Sequence, residues 1–386
     1  MTKNSTNKSV CIIRSNSVRP DSRVEKEAWA LCKAGYDVHI LAWDRDTDCR
    51  ENEDTVSVAD VQIPITRLGH RASYGEGFKN IKPYLAFQFH MRKWLRKNKF
   101  DIVHSCDFDT AFFSCGIVKR KKEKFVFDIF DFLFDRPKNF MQRCVKRAQL
   151  NLINKADATI ICTEERKNQI AGSKPKRLAV IHNTPSLTQI KNGSAKPVSS
   201  DKVKIVYVGI LQDYRLLKEI TEGISELKHV EFHVGGFGKY ENYFLDMSSK
   251  FDNIHFYGRL TYADTLALEK KCDVMLAVYD PTISNHLYAA PNKFYESLML
   301  GKPVIMVKGT GMSKIVEDND IGVLIDYSKT GFIEGIKKLI IKKGDWGSMG
   351  VRMKRLYQSQ YSWAEMENRL VSLYSELVNE KNTNCQ

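Results

Sequence analysis

The sequence predicts two doubly wound α/β domains, each a parallel sheet wrapped by helices, joined by a short linker. Three observations lead there. Short β-branched or aromatic runs alternate with longer amphipathic stretches in both halves, the pattern of βαβ units. The chain has 386 residues, too many for one typical domain and comfortable for two. Composition breaks once, where residues 190–202, IKNGSAKPVSSDK, are rich in Gly, Ser, Pro and Lys and lack an apolar period. The expected domains are therefore 1–190 and 203–360, with a linker at 191–202 and a separate C-terminal helix at 361–386.

Along the first half, strands are expected at Val10–Arg14, Asp37–Ala42, Ile102–His104, Phe125–Asp128, Ala158–Cys162 and Leu178–His182. Between the first two, Val24, Ala28, Leu31 and Cys32 fall at helical spacing, and Gly35 reads as the helix stop. In the second half the strands are Val203–Val208, Glu231–Gly235, Ile254–Tyr257, Val274–Val278, Pro303–Val307 and Gly322–Ile325, with helices near 216–227, 261–271, 291–300, 312–317, 329–341 and 346–356. Ser362–Lys381 carries Trp363, Met366, Leu370, Leu373, Tyr374 and Leu377 on one stripe, so this last helix is expected to cross back onto the first domain. Two such domains place a cleft between the carboxyl ends of their sheets, where a substrate touches both.

Composition excludes several classes. No run approaches 18 apolar residues, so no spanning helix is expected. MTKNSTNKS leads straight into the first strand with no apolar leader, which points to the cytoplasm. The nine cysteines are scattered, without the spacing of a zinc site or a disulfide framework, so reduced thiols are expected. The net charge of +14 is segregated: residues 1–200 hold 36 Lys+Arg against 22 Asp+Glu, and residues 201–386 hold 24 of each. One face of the first half is expected to meet something anionic. Residues 78–100 interleave seven Lys/Arg with Phe78, Tyr84, Phe87, Phe89, Trp94 and Phe100, and KRKKEK (119–124) and Arg136–Arg147 add more charge. Basic clusters with embedded aromatics suit an anionic bilayer surface at headgroup level; single-stranded nucleic acid and a solvated helix with core aromatics are the alternatives.

Pro291–Ile305, PNKFYESLMLGKPVI, is the most informative segment. It reads as a loop, a helix of about ten residues, and the start of a buried strand. Asn292 and Lys293 sit in the first turn, where unpaired N–H groups and the positive end of the dipole can hold a diphosphate. Glu296, one turn on, is placed to accept hydrogen bonds from a ribose diol. An ordinary αβ junction with a polar first turn is the plain alternative.

Residues 203–327 resemble the donor domain of the retaining family 4 glycosyltransferases (glycosyl transferases group 1). The landmarks run in order: VKIVYVGIL (203–211), HVGGFG (233–238), NIHFYGRL (253–260), KCDVMLAVYDP (271–281), PNKFYESLMLGKPVI, and IVEDNDIGVLID (315–326). RPDSRVEKEAWALCKAGYDVHILAWDRD (19–46), KADATIICTEERKNQI (155–170) and KRLAVIHNTP (176–185) extend the similarity into the first half. The resemblance implies a GT-B fold of two Rossmann-like domains, and an enzyme that moves a hexose-type unit from a UDP- or GDP-sugar. The expected acceptor is a glycan or a polyprenyl-pyrophosphate-linked glycan, in surface polysaccharide assembly. The implied setting is the inner face of the membrane, with no nucleic acid as partner. A non-catalytic GT-B partner protein that lost donor chemistry is the alternative reading.

The departures from the family pattern are specific. Of its two Glu residues seven apart, Glu296 matches the second and Tyr288 replaces the first. The family's phosphate-gripping Arg falls on Ile210, and its Lys partner on Arg215, which can hold phosphate in a bidentate manner, with Lys293 supplying the second charge. In VFDIFDFLFD (126–135), Asp128, Phe130 and Asp131 stand where relatives carry Asp, His and Glu. Asp131 becomes the acceptor-side carboxylate or, equally, a helix N-cap. Asp21 and Arg23 follow the first strand and can meet acceptor or donor sugar; Asp21 can equally cap the next helix. Gly209 and Arg259 complete the donor-side set of Gly209, Arg215, Arg259, Tyr288, Asn292, Lys293 and Glu296. Retaining GT-B chemistry needs no metal and no protein nucleophile, so no cofactor is expected. The Asp-x-Asp triplets at Asp44, Asp46 and Asp48 and at Asp107 and Asp109 read as strand-end turns.

Overall fold

The computed structural model describes residues 7–72, 80–185 and 201–383. The linker ahead of Asp201 lies outside these residues, as do Phe78 and Cys385. The chain forms two compact units, Met1–His182 with Met366–Gln386, and Asn183–Glu365.

The first unit is built on an eight-stranded sheet: β1 (Ser9–Arg14), β2 (Asp37–Asp44), β3 (Asn52–Val58), β4 (Val61–Gly69), β5 (Ile102–Cys106), β6 (Lys124–Ile129), β7 (Ala158–Ile161) and β8 (Leu178–Val180). Its order is β3-β4-β2-β1-β5-β6-β7-β8. All neighbours are parallel except β3, which runs antiparallel to β4. Helices α1 (Ser22–Lys33), α2 (Ile81–Lys97), α3 (Asp107–Arg120) and α4 (Phe140–Lys155) connect the strands. Every residue of β5 and β7 is buried, as expected for parallel strands covered on both faces. The six expected strands are present, and the β3–β4 hairpin joins them.

The second unit carries six parallel strands: β9 (Val203–Ile210), β10 (Val230–Phe237), β11 (Ile254–Phe256), β12 (Val274–Ala277), β13 (Val304–Val307) and β14 (Gly322–Ile325). They lie in the order β11-β10-β9-β12-β13-β14, the doubly wound arrangement in which ligands bind where the order reverses, here between β9 and β12. The helices are α5 (Leu217–Ser225), α6 (Glu241–Lys250), α7 (Tyr262–Lys271), α8 (Asn292–Leu300), α9 (Ser313–Asp318), α10 (Lys329–Ile341) and α11 (Trp346–Leu356). Only α6 has no counterpart among the sequence expectations for this half. α8 stops at Gly301, whose φ of +69° is left-handed and where a Cβ would lie 2.9 Å from the Gly350 carbonyl oxygen. A side chain there meets both strain and collision.

The last helix, α12 (Trp363–Thr383), belongs with the first unit from Met366 onward. Leu370, Tyr374 and Leu377 are fully buried in it, Met366 Sδ accepts from the His182 N–H at 3.0 Å, and Arg369 donates to the Val180 carbonyl. Among the described residues no helix is long and apolar enough to cross a membrane, and the described cysteines are free thiols.

Candidate functional site

In the second unit the switch point gathers residues from β9, the loop after β12, and the start of α8. α8 begins after Pro291 with no side-chain cap on its first turn, which leaves the positive end of the helix facing this crevice. Lys293 folds back over the end of β9. Its Nζ lies 4.6 Å from the Tyr207 ring centroid, in the space a Cβ on Gly209 would need, 2.7 Å away. Gly209 is therefore the seat of the ammonium. Burial works against the charge, but Tyr207, Tyr279, Glu296 and Glu269 outweigh it and hold the Lys293 pKa above the ordinary value. Gly236 on β10 stands opposite Gly209 in register; with φ of +137°, a Cβ there would lie 1.8 Å from the Gly209 carbonyl oxygen.

Arg215 approaches from the other side. Its guanidinium stacks 4.0 Å over the Tyr279 ring and donates to the Tyr214 carbonyl and to His286 Nε2, at 3.1 and 3.3 Å. His286 Nδ1 lies 2.8 Å from the Asp280 carbonyl oxygen, so Nδ1 carries the proton and Nε2 accepts. Burial lowers the His286 pKa, which keeps that tautomer neutral. The Tyr207 hydroxyl donates to the Ile210 carbonyl at 3.0 Å and also meets Arg215. Two cations thus flank one phenol at the end of β9, where Ile210 itself is half exposed.

One turn into α8, Glu296 is buried and accepts a hydrogen bond from the Tyr262 hydroxyl of α7. Glu269, also on α7 and buried, shares this space. Burial, and then the neighbouring Glu296 carboxylate, push the Glu269 pKa well above the ordinary range. Asn292 is exposed beside the helix start. Tyr288, half-buried, ends the turn Ser284–Tyr288 just before α8. Arg259 lies two strands away, exposed, its guanidinium 4.5 Å over the Phe237 ring at the end of β10.

The first unit holds its charged groups differently. Asp21 is the N-cap of α1: it accepts from the Val24 N–H, while its own N–H donates to Glu25. Its other oxygen takes Arg14 Nε at 2.9 Å and Asn16 Nδ2 at 2.8 Å. Arg14 also pairs with Asp107, which accepts from the backbone N–H groups of Phe130 and Asp131. Burial, against the pull of Arg14, raises the Asp107 pKa to about 6. Arg23 is buried, with Nε on Glu27 at 3.0 Å and Nη2 on Asp128 at 2.6 Å. Arg14 and Arg23 both stack on Phe130, at 4.3 and 4.1 Å. Asp131 caps no helix, because α4 starts at Phe140 under Asn139. Its side chain is 63% exposed and paired with Arg166 at 3.1 Å.

Sequence reasoning missed Tyr207, Tyr279, His286, Tyr262, Glu269 and Arg14. None carries a local signal; each reaches its place through packing between distant segments. The basic stretch divides as well. Phe87 and Trp94 belong to the core, whereas Ile81, Leu85 and Phe89 (62% exposed) form an outward stripe on α2 continued by Lys93, Arg96 and Lys97. α3 packs between α2 and α4 and exposes Phe112, and α4 exposes Phe140, Met141, Arg143 and Arg147.

Two family models match successive parts of the chain: Glycosyltransferase Family 4 over residues 22–187, and Glycosyl transferases group 1 over residues 202–342. No curated protein sequence matches. Among solved structures, the chain is similar to sucrose-phosphate synthase from Thermosynechococcus elongatus, at 14% identity and TM-score 0.72, covering 97% of this chain and 100% of that one. It is similar to Anabaena HepE in complex with UDP-glucose at 12% identity and TM-score 0.69, covering 96% and 100%. The lipopolysaccharide outer core galactosyltransferase WaaB follows at 15% identity and TM-score 0.62, covering 97% and 99%. At these identities the structures establish the fold.

Proposed function

We propose, for a chain that belongs to the family 4 glycosyltransferases (glycosyl transferases group 1), that it moves a hexose-type unit from a UDP- or GDP-sugar to a hydroxyl of a glycan or lipid-linked glycan, with retention at the anomeric carbon. The observation that carries the reading is the pairing of Lys293 and Arg215 about Tyr207, beside the uncapped start of α8. When the bond from the anomeric carbon to the phosphate oxygen breaks, negative charge develops on the departing diphosphate. A held ammonium, a guanidinium and a helix N-terminus are placed to receive it. The acceptor proton passes to a diphosphate oxygen on the same face, so the scheme needs neither a protein nucleophile nor a metal. Glu296 receives the ribose diol, with the Tyr262 hydroxyl fixing its orientation; Asn292 and Tyr288 flank the sugar; and Arg259 with Phe237 borders the base. On the acceptor side Asp131 is the reachable carboxylate, while Asp21 and Arg23 hold the loop after β1 in place.

UDP is the first nucleotide to test, because the similar HepE structure is a complex with UDP-glucose. Saturating UDP is expected to raise the melting temperature by mass action, and Glu296→Ala to reduce that rise strongly. An intact shift in Glu296→Ala would remove Glu296 from the ribose site. A non-catalytic partner protein is the rival, motivated by Tyr288 and Ile210 in place of the family's Glu and Arg. Release of nucleoside diphosphate on incubation with lipid-linked acceptor separates the two.

The apolar and basic residues exposed along α2, α3 and α4 support docking on an anionic bilayer. The protein is expected to co-sediment with phosphatidylserine-containing vesicles and not with neutral ones. Phe89→Asp combined with Phe140→Asp is expected to abolish that binding while leaving the UDP shift intact; unchanged sedimentation would discard the surface.

A further inference from the structure

Glu231 and His233 point to one face of β10, and His255 lies directly across from His233 on the edge strand β11. The two imidazoles stack with centroids 4.7 Å apart. Both Nε2 atoms turn toward Glu231 Oε2, His233 at 3.4 Å and His255 at 3.9 Å, and the three donor atoms all fall within 4.8 Å of one another. His233 is 0% exposed, and neither Nε2 has a hydrogen-bond partner. Glu231 Oε2 is the one group drawing on both buried ring nitrogens, and at 3.4 and 3.9 Å it meets them only at long range; a single cation among the three donors would satisfy both.

We propose that His233, His255 and Glu231 form a zinc-class metal site that clamps the edge of the second sheet. Two imidazoles and one carboxylate suit Zn²⁺ with a fourth position open to water, and His255, 33% exposed at its side chain, provides the entry. The Tyr257 hydroxyl lies 2.9 Å from His233 Nδ1. By accepting from Nδ1–H it fixes the tautomer that presents the Nε2 lone pair, as outer partners of ligating histidines commonly do. Lys202 sits 3.6 Å from the other oxygen, Oε1, and Lys204 is close enough to His233 to repel a cation. The carboxylate charge is therefore essential, and Glu231→Gln is the stringent variant. A second convergent set among the described residues, His104, Cys106 and Asp128, is closed. His104 Nδ1 and Nε2 are engaged by Tyr374 and Asp128, and the Arg23 guanidinium already fills the cation's place.

The site uses the first half of β10, whereas Gly236, at the strand's far end, belongs to the proposed donor site. The clamp thus stands or falls separately from the transferase reading. The test is titration of tag-free, chelator-treated protein with Co²⁺, followed by Zn²⁺ competition. One Co²⁺ per chain with the visible bands of tetrahedral coordination is expected, displaced by Zn²⁺. His255→Ala and Glu231→Gln are each expected to weaken binding tenfold or more, to abolish the Zn²⁺-induced rise in melting temperature, and to keep the UDP-induced rise. His255→Ala removes a partly exposed ring, so it is expected to fold. Unaltered Co²⁺ binding in both variants, absence of saturable binding, or a thiolate-to-cobalt charge-transfer band from Cys106 would each overturn the assignment.

Discussion

Lys293→Met is expected to lower sugar transfer by about 10²–10³-fold, the usual cost of removing one preorganised group that stabilises developing charge. The loss should fall mainly on kcat, because charge grows on the diphosphate as the bond breaks. Gly209→Ala is expected to act through the same ammonium. The new Cβ would lie 2.7 Å from Nζ at a backbone φ of +159°, so the substitution displaces the ammonium and also strains the end of β9, and a melting curve separates that strain from the loss of charge. The double variant should then be little worse than Lys293→Met alone, since both changes remove one interaction. Steady-state kinetics on the four proteins measure this coupling. Additive losses, or a Lys293→Met enzyme within tenfold of wild type, would dismiss the ammonium as the diphosphate's partner. Gly236→Ala is the structural contrast. Its Cβ would collide with the Gly209 carbonyl oxygen at 1.8 Å, so it is expected to destabilise β9–β10 pairing whatever its effect on catalysis.

The parts of this molecule that were legible beforehand are those whose signal is local. Fully buried parallel-strand segments such as VCII in β1 or VIMV in β13 are continuous apolar runs, and α8 announces itself through Pro291, Lys293, Glu296 and Gly301 within one short segment. The β3–β4 hairpin escaped because β3, NEDTVSV, is largely exposed and polar, and Pro64 interrupts β4. α6 escaped because it buries only Phe244, too little to create a period. The surroundings of Lys293 and Glu296 were illegible for another reason. Tyr262 and Glu269 come from α7, and Tyr207 from a strand more than eighty residues upstream, so only packing brings them together. The Glu231–His233–His255 set was missed in the same way: short Cys/His spacings do not detect donors shared between neighbouring parallel strands. Asp131 shows the limit of motif position alone. Its place after β6 suggested an N-cap as readily as an acceptor carboxylate, and the helix it would cap starts only at Phe140.

Two buried carboxylates in the first unit make opposite predictions although both touch Arg23. Asp128 Oδ1 takes Arg23 Nη2 at 2.6 Å, and its Oδ2 faces His104 Nε2 at 3.3 Å. Arg23, and then hydrogen bonding from His104, overcome burial and lower its pKa. Glu27 accepts from Arg23 Nε through Oε1, but its Oε2 has no hydrogen bond and stands 3.8 Å from His104 Nε2. Burial, reinforced by Asp128, raises the Glu27 pKa from 4.5 to about 7. Asp128 therefore carries the charge that balances Arg23, and Glu27 is the group that holds a proton. Asp128→Asn is expected to cost about 3–5 kcal/mol near neutral pH, because it strands a buried guanidinium. Glu27→Gln mimics the protonated acid and should change stability little at pH 5. The sign of the pH effect follows from the raised value: Glu27 contributes its full stability below 4.5 and loses it as pH climbs through about 7. Glutamine cannot ionise, so the melting temperature of wild type should fall relative to Glu27→Gln between pH 5 and 8. Calorimetric melts of both proteins across that range decide the matter. A Glu27→Gln protein destabilised by several kcal/mol at every pH would mean that both carboxylates are ionised, and that Arg23 needs two anions to stay buried.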